Sequence, residues 1–152
     1  MTEIDREPDD PVSFAGGVLD QYRHVCAFVD SRNEEYRVLD PFASEGLARG
    51  DKLLYFVDAA ERASLVRHLR HLGHDMPTLL ARRQCEVRTW EETYLRGGRF
   101  DQEAMLQLLD DYLCGAPSPR IRLVADMGWA ADEPDFCDRL IEFEARANLA
   151  VS

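Results

Sequence analysis

A histidine and a cysteine two residues apart, His24 and Cys26, are the first side chains in the sequence that could do chemistry. In a β-strand they would share one face about 6–7 Å apart, which is compatible with ligation of one metal ion or haem. The other interpretation is a hydrogen-bonded core histidine beside a buried thiol. His24 would also lie about 20 Å from the carboxyl end of the strand, where ligands of parallel sheets normally bind. The pair is therefore a secondary candidate for a metal or redox site, and no cofactor is predicted.

The turn after this stretch lacks the residues of a nucleotide site. Residues 31–35, Ser-Arg-Asn-Glu-Glu, contain neither glycine nor lysine and place two carboxylates where phosphates would bind. A phosphate-binding loop needs glycines for its backbone cradle, together with a lysine and a serine or threonine. Asp126 stands at a later strand end, in the position of a metal-binding aspartate, but it would have no nucleotide to hold. No catalytic triad or carboxylate pair stands out, so the chain is predicted to be non-catalytic.

Aromatic, methionine and acidic side chains recur at the predicted strand ends and on the last helix. Such a set suits a pocket for an apolar ligand. Glu144 lies on or beside the apolar stripe of the last helix, so its carboxylate is predicted to be at least half buried. It would pair with an arginine such as Arg122 or Arg88, contact the loop at 126–129, or face the pocket. The predicted ligand-binding residues are Asp30, Asp58, Trp90, Tyr94, Asp126, Met127, Trp129, Glu144 and Asn148.

The elements that must position these residues follow a β-α-β-α-β-α-β-α order. Apolar patterns predict strands at about 23–29, 52–58, 84–90 and 120–126, and helices at about 34–48, 60–72, 102–114 and 134–149. The first strand alternates with little polarity on either face, which favours a central position in a sheet. Pro41 is predicted to kink or restart the first helix. The predicted fold class is α/β, with a mostly parallel sheet flanked by helices.

Composition and charge argue against several classes of protein. The chain has 152 residues, a net charge of -11 and a pI near 4.7. This acidity argues against direct binding to nucleic acid or to an anionic membrane surface. Residues 1–12 are predicted to be an acidic disordered tail, and residues 13–152 a single domain with 12–19 packed near the first strand. The sequence shows no membrane-spanning run and no secretory signal, which predicts a cytoplasmic protein with reduced, mostly buried cysteines.

Four motifs in a fixed order carry a resemblance to a known family over about residues 22–149. They are His24-x-Cys26-x-Phe28 with Pro41-Phe42 and Gly46-Leu47-x-x-Gly50-Asp51; Tyr94-Leu95-x-Gly97-Gly98-x-Phe100-Asp101; Arg122-Leu123-x-x-Asp126-Met127-x-Trp129-Ala130; and Glu142-x-Glu144-Ala145-x-x-Asn148. Together they resemble the MEDS domain, the sensory domain named for methanogens, methylotrophs and the dichloromethane regulator DcmR. The resemblance implies a bacterial or archaeal source.

The resemblance also implies a fold and a function. The fold would be a degenerate RecA/KaiC-like, Rossmann-like three-layer sandwich. The function would be to bind a small apolar or hydrocarbon-like molecule and to signal through a regulatory protein partner, as in transcription regulation. Members of the family usually continue into a further strand that is not present before Ser152. An open sheet edge invites pairing, so a homodimer that covers it is expected.

Two alternatives from other functional classes remain open. The first is a ligand-free protein-interaction module that regulates a kinase, an anti-sigma factor or a transcription factor. The second is a thiol- or metal-based redox sensor that uses His24 and Cys26.

Overall fold

The computed structural model describes residues 11–19, 23–114, 120–132 and 137–151. The strands are β1 (Val12–Phe14), β2 (Gly17–Leu19), β3 (Lys52–Val57), β4 (Cys85–Thr89) and β5 (Ile121–Ala125). The helices are α1 (Arg32–Arg49), α2 (Arg62–His71), α3 (Met76–Ala81), α4 (Gln102–Leu113) and α5 (Cys137–Ala150), with short 3-10 turns at Trp90–Glu92 and Gly128–Asp132. Among the described residues, no helix combines the length and apolarity needed to cross a membrane. The predicted acidic tail falls mostly outside the described residues.

The main sheet has three parallel strands in the order β4-β3-β5. In β3, the five residues from Leu53 to Val57 are all buried, because both faces of this central strand are covered. Leu53, Tyr55 and Val57 face a core formed with α1, α2 and α3. Leu54 and Phe56 face a second core formed with α4, α5 and the segment around Tyr94. The predicted α/β class, with a parallel sheet flanked by helices, is therefore confirmed.

The prediction that 23–29 forms a central strand is wrong. Those residues have no regular secondary structure, and they pair with no strand in the part of the chain that the structure describes. Phe28 is 97% exposed, and Val25, Cys26 and Val29 are exposed as well. Alternating apolar residues indicate an extended backbone, but they do not supply a neighbouring strand to hydrogen-bond with. The central position belongs to β3, whose side chains are buried on both faces.

Helix boundaries follow local capping chemistry. Ser31 is the N-cap of α1 and its Oγ accepts a hydrogen bond from the Glu34 amide, while Gly50 ends the helix with φ 84°. Glycine tolerates this left-handed backbone, which explains its use at this helix end. Asp101 caps α4 in the same way as Ser31 caps α1. The helix α1 continues through Pro41 from 32 to 49, so the predicted restart there does not occur.

The lead-in segment 12–19 is a β-hairpin that packs on α1 rather than beside a first strand. Strands β1 and β2 pair antiparallel, with Val12 opposite Leu19. The ring of Phe14 meets the ring of Phe42 edge to face, with 5.8 Å between the centroids. The hairpin thereby covers part of the outer side of α1.

A buried arginine joins α1 to the sheet. Arg122, on β5, is 2% exposed, and its Nε donates to Asp51 Oδ2 at 2.7 Å. Its Nη1 donates to the carbonyl oxygen of Phe42 at 2.9 Å, and its guanidinium lies 4.9 Å from the centre of the Phe42 ring. The aliphatic part of the side chain passes against Gly46, where an added Cβ would lie 2.5 Å from Arg122 Cδ. Gly46 therefore leaves the space that the arginine fills.

Gly46→Ala is expected to lower the free energy of unfolding by about 1–3 kcal/mol, because the new methyl group displaces Arg122 from its partners. In an unobstructed helix interior the same change would raise stability by about 1 kcal/mol. Urea denaturation measures the sign, with Ala48→Gly at an exposed position of α1 as the calibration of helix propensity. A stabilised Gly46→Ala protein would show that Arg122 does not pack against this helix.

Candidate ligand-binding site

A small cleft opens at the carboxyl ends of β3 and β5, which we call the strand-end cleft. Its apolar wall is formed by Tyr36, Leu39, Tyr55, Val57, Leu65 and Val124. Its charged residues are Arg32, Glu35, Glu61 and Asp126. The free volume is about 20 Å³, enough for a molecule the size of water. The location is the one at which open parallel sheets bind their ligands.

The charged residues of the cleft are held in place by one another. Arg32 Nη1 lies 2.6 Å from Glu35 Oε2, and Arg32 Nη2 lies 3.6 Å from Glu61 Oε2. Burial raises the pKa of the Glu35 carboxyl, although the charge of Arg32 acts in the opposite direction. With three carboxylates and one guanidinium, the lining of the cleft is net acidic. Its net negative charge therefore disfavours anions.

Tyr36 forms the outer wall of the cleft and is supported from behind. Its ring stacks on the imidazole of His68, with 3.6 Å between centroids and 7° between planes. His68 Nε2 lies 2.9 Å from Asp40 Oδ1, which fixes the imidazole. Burial raises the pKa of the Tyr36 hydroxyl. The hydroxyl therefore stays neutral at physiological pH.

Asp126 lies at the inner end of the cleft and is shaped by a tight turn. Its backbone amide donates to the carbonyl oxygen of Phe56 at 2.8 Å, which continues the sheet by one residue. Its Oδ1 accepts a hydrogen bond from the Gly128 amide at 2.8 Å. Asp126 is the one residue of the predicted ligand-binding set that lines this cleft.

The predicted aromatic residues lie on the other face of the sheet. Tyr94 and Trp129 are buried with their ring centroids 5.2 Å apart, and Met127 packs against the same core. Trp90 Nε1 donates to the carbonyl oxygen of Asp126 at 2.9 Å. These four side chains fill a packed core rather than line an open pocket. Burial raises the pKa of the Tyr94 hydroxyl, as expected in such surroundings.

Three further residues of the predicted set serve local structure or lie in solvent. The amide of Asp30 donates to Glu34 Oε2 at 2.7 Å at the start of α1. Asp58 Oδ1 accepts from the Ala60 amide at 2.9 Å in the turn after β3. Asn148 is exposed on α5. None of the three lines the strand-end cleft.

Glu144 is more than half buried as predicted, but its partner differs from the one expected. Its Oε2 lies 3.0 Å from His24 Nε2, and the hydrogen bond raises the pKa of the His24 imidazole even though partial burial acts against it. Arg122 pairs with Asp51 instead, and Arg88 donates to the Tyr112 hydroxyl. Each arginine therefore binds a residue other than Glu144.

His24 and Cys26 also depart from the interpretation as a core histidine beside a buried thiol. Cys26 is exposed, and His24 is partly exposed. One donor atom each from His24, Cys26 and Glu144 lies within 4.8 Å of the others. Sequence spacing brought the first two together, but only the fold adds the carboxylate from α5.

The helix residues of the strand-end cleft were missed by the sequence analysis. Arg32, Glu35 and Tyr36 lie at positions i, i+3 and i+4 of the first turns of α1, so they share one helix face. This spacing at the start of a helix is the feature of the sequence that could have indicated that the three side chains line one site. From the sequence, Glu35 indicates only that phosphate binding is disfavoured.

A second, wider cleft of about 250 Å³ lies between the end of α1 and α3. Ser44 Oγ and His74 Nε2 are 2.9 Å apart on its wall. This cleft sits beside the residues that lead into β3, at the amino end of the strands. The rule for parallel sheets therefore favours the strand-end cleft as the ligand site.

Comparison with known proteins identifies the family of the chain but gives no related structure. No match was found among curated proteins or among solved structures. A family profile described as "MEthanogen/methylotroph, DcmR Sensory domain" matches residues 23–152. That range covers nearly the whole chain, from the His24 segment through α5. The chain therefore belongs to the MEDS family of sensory domains.

Proposed function

We propose that this chain is a non-catalytic sensory domain that binds a small apolar or hydrocarbon-like molecule in the strand-end cleft. The observation that carries the proposal is the apolar wall at the carboxyl ends of β3 and β5, where six apolar or aromatic side chains line the cleft together with four charged ones. Small-molecule sites usually have this composition, mostly apolar with a few polar groups that orient the ligand. The sensory character of the family supports the same function.

The size of the cleft suggests how binding would be sensed. A ligand of several carbons does not fit into about 20 Å³, so Arg32, Glu35 or Tyr36 must move to admit it. All three lie in the first turns of α1. A ligand that binds better to the open arrangement shifts the population of the start of this helix. The start of α1 is thus the element through which occupancy would be passed on.

The proposal includes no nucleotide binding, and the N-terminus of α1 gives a reason for this. Helix N-termini bind phosphate through free amide groups. Here the Glu34 amide donates to Ser31 Oγ at 3.2 Å, and the Asp30 amide donates to the Glu34 carboxylate. These donors are occupied, and the carboxylates of Glu34 and Glu35 would repel a phosphate.

Signalling through a regulatory protein partner is the second part of the proposal. The segment directly before α1 presents the exposed side chains of Val25, Phe28 and Val29. Adjoining exposed apolar side chains mark protein contact sites. A partner bound there would contact the chain immediately next to the helix start that the ligand displaces. A second copy of the chain would use the same surface if the protein is a homodimer.

A titration of the ¹⁵N-labelled protein with bromoethane and with benzene, followed by ¹H–¹⁵N correlation spectra, tests ligand binding. Saturable shifts are expected for the amides of Tyr36, Val57 and Val124. Val124→Phe fills the cleft from its floor and is expected to weaken binding at least about tenfold. Leu80→Phe, at an exposed site on α3, is the matched control and should leave the affinity unchanged.

Two results would contradict the cleft assignment. The first is saturable binding whose shifts centre on Tyr94 and Trp129. The second is equal affinity in the wild-type protein and in a folded Val124→Phe variant. The absence of saturable shifts with either probe would favour the ligand-free interaction module, for which the exposed Phe28 segment is the supporting observation.

A further inference from the structure

A nitrogen, a sulfur and an oxygen donor converge beside α5, away from the strand-end cleft. His24 and Cys26 come from the segment 23–29 before α1, and Glu144 comes from α5. His24 Nε2 and Glu144 Oε2 are 3.0 Å apart, and the donor atoms of all three residues lie within 4.8 Å of one another. Residues 23–29 have no regular secondary structure, and this one short segment supplies two of the three donors.

The separations suit a tetrahedral metal ion. Bonds of about 2.0–2.3 Å to nitrogen, oxygen and sulfur place neighbouring ligands about 3.3–3.7 Å apart in a tetrahedron. The histidine and the carboxylate are already closer than this, and the thiol needs a shift of about 1 Å, within the reach of a side-chain rotation. Imidazole, thiolate and carboxylate are the protein ligands of Zn²⁺, and three of them leave the fourth position to water.

Charge and exposure fit the same assignment. A thiolate and a carboxylate together neutralise the two positive charges of the ion. The thiol of Cys26 is exposed, so an ion can reach it from solvent. The side chains of His24 and Glu144 are 30% and 26% exposed, so they are partly shielded from water.

We propose that His24, Cys26 and Glu144 bind a divalent transition-metal ion of the zinc type. The ion ties the segment 23–29 to α5. The segment has no strand partner among the described residues, so the metal bonds supply an anchor that the sheet does not. The proposal does not depend on ligand binding in the strand-end cleft, because the two sites share no residue.

Cobalt titration of the full chain is the test. Co²⁺ substitutes for Zn²⁺, and a tetrahedral site with one thiolate gives a sulfur-to-cobalt charge-transfer band and intense visible bands. The wild-type protein is expected to show both with one Co²⁺ per chain, and added Zn²⁺ should abolish them. Cys26→Ser is expected to lose the charge-transfer band. His24→Ala and Glu144→Gln are each expected to weaken Co²⁺ binding at least about tenfold.

Cys114→Ser is the matched control, because Cys114 is also exposed but lies at the end of α4. It should keep the wild-type spectrum. A charge-transfer band that persists in Cys26→Ser, or no band in the wild-type protein, would overturn the proposal and leave His24 and Glu144 as an ion pair only. X-ray absorption of the zinc-loaded wild-type protein decides the matter without a variant. One sulfur at about 2.3 Å with nitrogen and oxygen neighbours supports the site, and a shell without sulfur rejects it.

Discussion

Arg122→Ala is expected to lower the free energy of unfolding by about 3–5 kcal/mol. Asp51 is 7% exposed, and the Nε donor of Arg122 lies 2.7 Å from its carboxylate. Removing the guanidinium strands a buried negative charge and leaves the carbonyl oxygen of Phe42 without its Nη1 donor. Equilibrium denaturation in urea measures the loss.

Two controls separate the buried charge from a general loss of contacts. Arg88→Ala removes a half-buried arginine that donates a hydrogen bond to the neutral hydroxyl of Tyr112, and it should cost only about 0.5–1.5 kcal/mol. The double variant with Arg122→Met and Asp51→Leu should recover most of the stability, because it leaves no unpaired charge. Equal losses for Arg122→Ala and Arg88→Ala would contradict the account of the buried pair.

Phe56→Ala is expected to lower the free energy of unfolding by about 3–5 kcal/mol. Phe56 has no exposed surface and lies in the central strand, one residue before its end. Its ring meets the ring of Tyr94 edge to face, with 6.1 Å between centroids. Truncation leaves a cavity in the core between the sheet, α4 and α5 that rigid neighbours cannot fill. Thermal and urea denaturation both report the change.

Phe28→Ala is the control, because it tests whether the segment 23–29 is buried as a central strand would be. Its side chain is 97% exposed, so the change should stay within about 0.5 kcal/mol. The sequence pattern alone made 23–29 the central strand, and in that arrangement Phe28→Ala would cost as much as Phe56→Ala. A loss of several kcal/mol for Phe28→Ala would restore the sequence-based interpretation.

The fold was predictable where a short stretch of sequence determines its own secondary structure and burial. The unbroken apolar run from Leu53 to Val57 can be satisfied only by a strand covered on both faces. Asp101 marked the start of α4 because its carboxylate accepts a backbone hydrogen bond there. The prediction for 23–29 was wrong because an alternating pattern is typical of a strand but does not show which other strand would pair with it. Strand pairing depends on the rest of the chain.

The site was less predictable because a residue at a strand end can lie on either face of the sheet. Asp126 and Met127 are neighbours in sequence, yet Asp126 lines the strand-end cleft and Met127 packs into the core on the opposite face. No periodicity survives in the loop after β5 that would tell the sides apart. The partner of Glu144 was equally hidden, since His24 is 120 residues away in sequence and reaches α5 only through the tertiary fold.

The central claim is that the strand-end cleft receives a small apolar molecule. The most direct measurement is a crystal structure of the protein soaked in bromoethane, with the bromine located by its anomalous scattering. The account predicts a bromine peak against Tyr36, Val57 and Val124, with the Arg32–Glu35 pair displaced from the position described here. A peak among Tyr94, Phe100 and Trp129, or a cleft that stays closed at saturating bromoethane, would contradict it.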